Sequence, residues 1–429
     1  MKEKEIAPVK KTIHKKGQSP NSPVLLSQIS REELPRISTG IREFDRVLGG
    51  GIFPASVVLL AGDPGIGKST LLIQVAARLV RQQISVLYVS GEESLRQLHN
   101  RANRLNIARH AIPVLMETNL ENILFHIEKQ SPTVVIVDSI QSLYSEDVVG
   151  APGNVAQLRE CASRLFRAAK EQGWSLILVG HITKEGSIAG PKILEHMVDV
   201  VLSFEGDNLY QYRILRSVKN RFGATSELGI FLMEPEGLKE VENPSRLFLS
   251  RKSGSQVGVS VVCSFEGSRP LLAEVQSLVS RSNYGVPQRT VSGFDPRRLA
   301  LLLAILEKHG NLHFGVYDVF VKIAGGLRFD DPGIDLGIAM AVFSSYKDVP
   351  LPPQSVFIGE IGLNGDIRPV NQMEARIREA EKLGFRRIYI PDISELSLKK
   401  SSAQQSEWIP VENIVEIIED DRVFFINNV

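Results

Sequence analysis

Short apolar runs alternate with longer amphipathic segments between about Arg36 and about Leu249. Apolar runs of this length are typical of buried parallel strands, and the segments between them have the period of helices, as in Leu71–Leu79 and Val155–Glu171. The predicted strands are Val57–Ala61, Val86–Ser90, Val134–Asp138, Leu176–Gly180 and Val198–Phe204, with antiparallel additions at Tyr210–Ser217 and Leu228–Met233. This alternation predicts an α/β domain with a mostly parallel sheet and helices on both faces.

A different pattern begins after residues 251–255, a polar Arg-Lys-Ser-Gly-Ser segment that is typical of a linker. The predicted strands here are Val257–Phe265, Leu272–Val279, Val319–Ile323, Val356–Ile361 and Arg387–Ile390, and the predicted helices are Arg297–His309, Ile334–Tyr346 and Met373–Leu383. These elements predict an α+β domain. The chain is therefore divided into a basic flexible tail (1–30), an α/β domain (31–250) and an α+β domain (256–429).

The composition is that of an ordinary globular protein, with 429 residues, 43% of them apolar and 23% charged. A net charge of +1 gives no indication of nucleic-acid binding, which only local clusters could provide. Cys161 and Cys263 are far apart and lack metal-ligand spacing, so no zinc site is expected. No apolar run is long enough to cross a bilayer, and the N-terminus lacks the core of a signal peptide. We expect a cytoplasmic protein with no membrane partner.

Candidate chemistry begins directly after the first strand, where every fixed position of the G-x-x-x-x-G-K-[ST] phosphate-binding loop is filled. The predicted ATP-binding residues are Gly62, Asp63, Pro64, Gly65, Ile66, Gly67, Lys68, Ser69 and Thr70. Lys68 is expected to reach the β- and γ-phosphates of ATP, and Ser69 to bind Mg²⁺. The strand before the loop and the helix after it favour this function over a glycine-rich turn that binds nothing.

Polar residues follow three further core strands. Asp138 ends a buried strand in the Walker B manner, which predicts a second Mg²⁺ ligand. Glu92 follows the strand Val86–Ser90 and is the predicted catalytic base, although an acid here could instead stabilise a helix N-terminus. His181 could sense the γ-phosphate or be structural, with neither alternative favoured.

Two basic segments add further candidates. Lys219 and Arg221 lie two residues apart on an extended segment and should point the same way. They could reach the γ-phosphate of a neighbouring subunit as catalytic fingers, or form a solvated basic turn. Lys184, in the glycine-rich loop after His181, could contact DNA or lie on an ordinary surface loop.

Several motifs resemble known ATPases. Ser38-Thr39-Gly40-Ile41 and Leu48-Gly49-Gly50-Gly51-Ile52 resemble the opening of RecA-like ATPases. The segments that closely resemble the bacterial RadA (Sms) family are Gly180–Gly186, Leu194–Asp199, Lys219-Asn220-Arg221-Phe222-Gly223, Glu266–Leu272 and Gly359–Leu363. This resemblance implies a RecA-like core and a homo-hexameric, ATP-driven DNA motor for repair and recombination. It implies branch migration on single-stranded DNA and branched recombination intermediates, and RecA as a partner. It assigns the binding and hydrolysis of Mg·ATP to four residues: Lys68, Ser69, Glu92 and Asp138. It assigns the coupling of hydrolysis to the neighbouring subunit and to DNA to Lys219 and Arg221.

Two departures from the family pattern change these expectations. The family usually begins with a four-cysteine zinc finger that is tied to RecA interaction. With only Cys161 and Cys263, this chain lacks the finger, either because the chain is truncated or because this member has lost it, so RecA partnership stays open. The second domain resembles the proteolytic domain of Lon, but the positions of the nucleophilic Ser and the Lys base fall on Asp335 and Glu374. We therefore expect a peptidase-dead scaffold for the ring and a platform for DNA.

The candidate phosphate contacts on this platform are Arg289, Arg297, Arg298 and Lys322, each of which could instead be a solvated surface charge. Two other functions compete with the DNA motor. A KaiC-like signalling ATPase would hydrolyse ATP at a rate independent of DNA. An ATP-dependent protease is disfavoured by the missing Ser–Lys pair.

Overall fold

The structure is a computed structural model that describes residues 35–181, 191–206, 211–225, 227–250, 256–282, 285–392 and 406–419. The predicted tail, the predicted linker at 251–255 and Lys184 lie outside these residues. The compact unit that holds both predicted domains starts at Arg36.

A nine-stranded sheet organises the first half of the chain in the order β3-β2-β4-β5-β1-β6-β7-β8-β9. Neighbouring strands are parallel from β3 to β6 and antiparallel from β6 to β9. The strands are β1 (Val57–Gly62), β2 (Val86–Ser90), β3 (Val114–Met116), β4 (Val134–Asp138), β5 (Ser175–His181), β6 (Val200–Glu205), β7 (Tyr212–Asn220), β8 (Leu228–Glu234) and β9 (Gly237–Glu240). The predicted α/β fold with a mostly parallel sheet is confirmed.

Helices cover both faces of this sheet. They are α1 (Arg42–Val47), α2 (Lys68–Arg81), α3 (Leu95–Arg104), α4 (Leu120–Gln130), α5 (Val155–Gln172) and α6 (Pro191–Met197), with a short 3₁₀ turn at Ile140–Ser142. Residues of α2 share one apolar core with one face of β1, and residues of α4 and α5 share another core with the opposite face. Local sequence sets the helix ends: Asn154 accepts the N–H of Gln157 at the start of α5, and Gly173 ends it with φ 82°.

A seven-stranded sheet in the order β12-β13-β11-β10-β14-β17-β18 and a two-stranded sheet, β15-β16, form the second half. The strands are β10 (Val259–Glu266), β11 (Arg269–Arg281), β12 (Arg289–Ser292), β13 (Tyr317–Ile323), β14 (Ser355–Phe357), β15 (Glu360–Ile361), β16 (Ile367–Arg368), β17 (Arg387–Pro391) and β18 (Glu407–Val411). The helices are α7 (Pro296–His309), α8 (Asp335–Lys347), α9 (Met373–Lys382) and α10 (Ile414–Glu419), with 3₁₀ turns at Pro244–Leu247, Ala324–Gly326 and Pro332–Ile334. The mixture matches the expected α+β class.

One predicted strand is wrong in detail. The apolar run Val356–Ile361 is broken into β14 and β15, which belong to different sheets. At the break, Gly359 approaches Ile367 so closely that a Cβ would lie 2.6 Å from its Cγ2. Its N–H donates to the carbonyl of Gly333 instead of to a strand partner. An apolar run alone does not reveal this change of partner.

The two sheets share one apolar core, because Ile214 and Ile230 from β7 and β8 pack in the same cluster as Leu271 from β11. Beside this core, the guanidinium of Arg269 lies 3.1 and 3.2 Å from the two carboxylate oxygens of Glu43, which is 5% exposed. The turn between β10 and β11 is thereby held against α1. No helix in the described part of the chain is both long and apolar enough to cross a membrane.

Candidate ATP site

The phosphate-binding loop joins β1 to α2 at the carboxyl end of β1. Two close approaches explain why glycine is needed there. A Cβ on Gly62 would lie 2.5 Å from the carbonyl oxygen of Phe204, and one on Gly67, whose φ is 118°, would lie 2.7 Å from Met233. The guanidinium of Arg213, which is 9% exposed, donates to the carbonyl of Ile66 at 3.2 Å and so ties the loop to β7.

The ammonium of Lys68 turns back onto its own loop. It donates to the carbonyls of Gly62 and Asp63 at 2.7 and 2.9 Å, and lies 3.2 Å from Nδ1 of His181. The side chain is buried, and this burial lowers the pKa of Lys68 to about 8, against the opposing effect of Asp138 and Glu92. Lys68 is thus a desolvated cation whose present partners are neutral groups that phosphate oxygens could replace.

Strand register brings the other candidates to the same edge of the sheet. Gly62 pairs with His181, and Ser90 pairs with Asp138, so β1, β5, β2 and β4 end side by side. The carboxylate of Asp138 is 7% exposed and accepts the hydroxyl of Tyr88 at 2.7 Å. Burial, followed by the charge of Asp138, raises the pKa of Tyr88 well above its usual value. Tyr88 therefore stays protonated and orients this carboxylate, a role that the sequence analysis missed.

The two adjacent acids after β2, Glu92 and Glu93, have different partners. Glu92 accepts a hydrogen bond from the hydroxyl of Ser139, and its Oε1 lies 3.3 Å from Nε2 of His181. The hydrogen bond from His181 is the largest effect lowering the pKa of Glu92, so its carboxylate is ionised at neutral pH. Glu93 instead forms an ion pair with Arg101 on α3. Ser94 caps α3, so the helix N-terminus does not depend on Glu92.

His181 therefore connects the two central groups of the site. Its Nδ1 accepts from the ammonium of Lys68, which leaves the proton of the neutral ring on Nε2, facing Glu92. Through one imidazole, the position of the lysine is linked to the position of the carboxylate.

The donor set suits Mg·ATP. The hydroxyl of Ser69 at the start of α2 and the carboxylate of Asp138 are the oxygen ligands that Mg²⁺ prefers. A Cβ on Gly65 would meet no atom within 4 Å, so the loop is open around this residue. Backbone N–H groups at the start of α2 add the positive end of the helix dipole.

Lys219 and Arg221 lie toward the amino ends of the parallel strands, away from the phosphate-binding loop. Lys219 pairs with Val201, which is level with Leu59 in β1 and three residues before Phe204, the partner of Gly62. With a rise of about 3.3 Å per residue, Lys219 lies about 10 Å from the carboxyl end of β1, measured along the strand, and Arg221 lies farther away. Neither side chain can reach the phosphate-binding loop of this chain, and 56% of the Arg221 side chain is exposed to solvent.

The turn after β7 is supported by residues that the sequence analysis did not select. Arg36 donates to the carbonyl of Leu48 at 3.0 Å and to the carbonyl of Phe222. The rings of Phe222 and Phe53 stack with their centroids 4.2 Å apart. Phe222 is therefore engaged in packing, and the turn that carries Arg221 has a fixed base. The sequence features that could have indicated this packing are the segments Gly49-Gly50-Gly51 and Arg221-Phe222-Gly223.

The four candidate DNA contacts of the second domain lie in different surroundings. The guanidinium of Arg289 donates to the carbonyls of Gln288 and Phe314 at 3.1 and 2.7 Å and also to that of Tyr317. That of Arg298 lies 2.8 Å from Asp335. Lys322 on β13 and Arg297 on α7 are exposed. The charged groups of Lys322 and Arg297 therefore face solvent. Contact of these four residues with DNA stays a prediction.

The two positions of the expected peptidase dyad carry acids in different surroundings. Asp335 is buried beside Arg298, and burial raises its pKa to about 7. Glu374 is exposed and forms an ion pair with Arg378 one turn along α9. Neither the nucleophile nor the base of a Ser–Lys peptidase stands at these positions. Cys161 and Cys263 are both buried free thiols.

Fold and site together define a P-loop ATPase of the α/β class. A family model described as "AAA domain" matches residues 30–187, and one described as "Subunit ChlI of Mg-chelatase" matches residues 283–394. The DNA repair protein RadA of Bacillus subtilis is 50% identical over 374 residues, which are 87% of this chain and 82% of the relative. That of Escherichia coli is 50% identical over 366 residues, which are 85% and 79% of the two chains. The chain belongs to the RadA family of DNA repair proteins.

Among solved structures, the KaiC-like protein PH0186 of Pyrococcus horikoshii is 22% identical and covers 49% of this chain and 100% of its own, with a TM-score of 0.41. A similarity at that level supports no inference about function.

Proposed function

We propose that this chain is a DNA-dependent ATPase of DNA repair and homologous recombination, a cytoplasmic homo-hexameric motor that promotes branch migration. Its substrates would be single-stranded DNA and branched recombination intermediates. The observation that carries the proposal is the meeting of Lys68, Glu92 and Asp138 at one sheet edge, in a chain about half identical to DNA repair proteins.

Lys68 would bind the β- and γ-phosphates by exchanging the carbonyls of Gly62 and Asp63 for phosphate oxygens. Loop N–H groups from Gly65 to Thr70 would surround the remaining oxygens. Ser69 and Asp138 would hold Mg²⁺, which neutralises charge that develops on the phosphates. Because this exchange removes Lys68 from His181, ATP binding would also free the imidazole next to the catalytic acid.

Glu92 would take a proton from the water that attacks the γ-phosphate. Its lowered pKa keeps it ionised, and Ser139 and His181 hold it in one orientation. Lys219 and Arg221 would act on the nucleotide of the adjacent subunit, since their own phosphate-binding loop lies at the carboxyl end of β1, about 10 Å beyond the level of Lys219. Hydrolysis would then depend on assembly, as it does in a ring.

Branch migration of a labelled three-strand joint molecule tests the finer part of this proposal. With ATP, the unchanged protein should extend the heteroduplex, Lys68→Ala should not, and Lys219→Ala should bind ATP without extending it. Lys239→Ala is a matched control, because Lys239 is an exposed lysine of the same sheet at its β9 edge. Extension by Lys68→Ala, or none by the unchanged protein, would contradict a branch-migration motor.

A further inference from the structure

The side chain of Arg221 is long and half exposed, yet its guanidinium pairs with one buried acid, Asp199. Asp199, only 3% exposed, lies just before β6, and its Oδ1 is 3.7 Å from Nη1 of Arg221. Its backbone carbonyl also accepts the N–H of Arg221 at 3.1 Å. One residue thus holds both the backbone and the guanidinium of the proposed catalytic finger.

The acid is itself fixed to the strand that leads to the phosphate-binding loop. Its Oδ2 accepts the N–H of Val57, the first residue of β1, at 3.0 Å and the ammonium of Lys170 on α5 at 2.7 Å. The carbonyl of Val57 accepts the N–H of Asp199 at 3.0 Å in return. A carboxylate held this way has little freedom, so it can restrict a flexible partner.

Lys219 is held beside the same segment. Its ammonium donates to the carbonyls of Glu195 and Val198 at 2.6 and 2.8 Å, at the end of α6. Partial burial and the nearby charge of Arg221 lower the pKa of Lys219. Residues 195–199 therefore support both members of the proposed finger pair.

We propose that Asp199 is a positioning residue that aims Arg221 at the nucleotide of the neighbouring subunit. The inference rests on the proposed action of Arg221 across the subunit boundary. An unrestrained arginine must lose its rotamer freedom when it meets the phosphates, and Asp199 removes part of that loss in advance. Because the contact matters most in the transition state, loss of Asp199 should lower kcat and leave KM for ATP nearly unchanged.

The test separates the site that hydrolyses ATP from the subunit that supplies the finger. Unchanged subunits are mixed with an excess of Lys68→Ala subunits, which bind no ATP but still present Arg221 to a neighbour. The same mixture is then made with Lys68→Ala/Asp199→Asn, and ATPase activity per unchanged subunit is compared. Asn is isosteric and keeps an oxygen for the N–H of Val57.

We expect kcat per unchanged subunit to fall about three- to tenfold with the Asp199→Asn dopant relative to the Lys68→Ala dopant, the size of one side chain's ordering cost. A Lys68→Ala/Lys170→Met dopant is the matched control, because Lys170 touches Oδ2 of the same carboxylate but not the finger. An equal loss with that dopant, or no loss with Asp199→Asn, would overturn the positioning role.

A third dopant, Lys68→Ala/Arg221→Ala, keeps failure of this inference apart from failure of the proposed function. If it lowers activity and Asp199→Asn does not, only the positioning role is wrong. If it has no effect, the finger across the boundary is wrong as well. Thermal melting of each dopant checks that it is folded before mixing.

Discussion

The pH dependence of ATP binding follows from the burial of Lys68. In the nucleotide-free protein the pKa of Lys68 is about 8, because the ammonium is desolvated and its partners are carbonyls and an imidazole. A bound triphosphate places negative charge beside the ammonium and raises this pKa. Binding therefore favours the protonated form. As pH rises through 8, ATP must bind together with a proton, and the apparent affinity falls.

The size of the effect follows from the pKa. With a pKa of about 8, roughly nine-tenths of Lys68 is protonated at pH 7 and roughly one-tenth at pH 9. The apparent Kd for ATP should then be about tenfold higher at pH 9 than at pH 7, or about 1.4 kcal/mol. Proton uptake should be about 0.9 per ATP bound at pH 9 and about 0.1 at pH 7.

Titration calorimetry with a non-hydrolysable ATP analogue measures both quantities. Runs at each pH in buffers of different ionisation enthalpy give the number of protons taken up. Lys68→Arg is the control, since arginine stays charged over this range and whatever affinity it keeps should not change with pH. An unchanged Kd between pH 7 and pH 9, with no proton uptake at pH 9, would refute the assignment of a desolvated Lys68.

Three further predictions concern the catalytic acid, the domain contact and the thiols. Glu92→Gln should lower kcat for ATP hydrolysis by about 10²- to 10⁴-fold and leave nucleotide affinity intact, as measured by steady-state kinetics and calorimetry. Arg269→Met should lower the free energy of unfolding by about 3 kcal/mol in urea titrations, because it leaves Glu43 buried without its main cation. Cys161 and Cys263, whose pKa burial raises to about 12, should resist iodoacetamide at pH 8 in the folded protein and react in denaturant, as read by mass spectrometry.

Each of these has its own control. Glu93→Gln alters the acid that pairs with Arg101 and should change kcat much less than Glu92→Gln; equal losses would remove Glu92 as the base. Adding Glu43→Gln to Arg269→Met should restore part of the lost stability, and no recovery would mean that the ion pair is not the cause. Rapid alkylation of either cysteine in the folded state would contradict its burial.

The sequence pattern was enough to predict five of the six parallel strands, β1, β2, β4, β5 and β6, and to within a residue or two where they end. Apolar runs that finish in a polar residue mark the carboxyl ends of buried strands, and parallel strands bring those ends to one edge. The short strands β3 and β9 were not predicted, because three or four residues at a sheet edge show no distinct periodicity.

Contacts between distant residues could not be predicted. His181 meets both Lys68 and Glu92, and Tyr88 meets Asp138, because strand register brings together residues that are far apart in the chain. Likewise, an arginine selected for its charge is not distinguishable in sequence from one that pairs internally. Arg298, selected as a phosphate contact, lies against the buried Asp335 instead of standing free.

The steady-state ATPase rate with and without single-stranded DNA tests the central claim most directly, with Lys68→Ala as the blank. A DNA-driven motor predicts a rate that DNA raises strongly in the unchanged protein and that Lys68→Ala reduces to background in both conditions. A rate above the blank that DNA does not change would contradict a DNA-dependent ATPase and would favour a signalling ATPase.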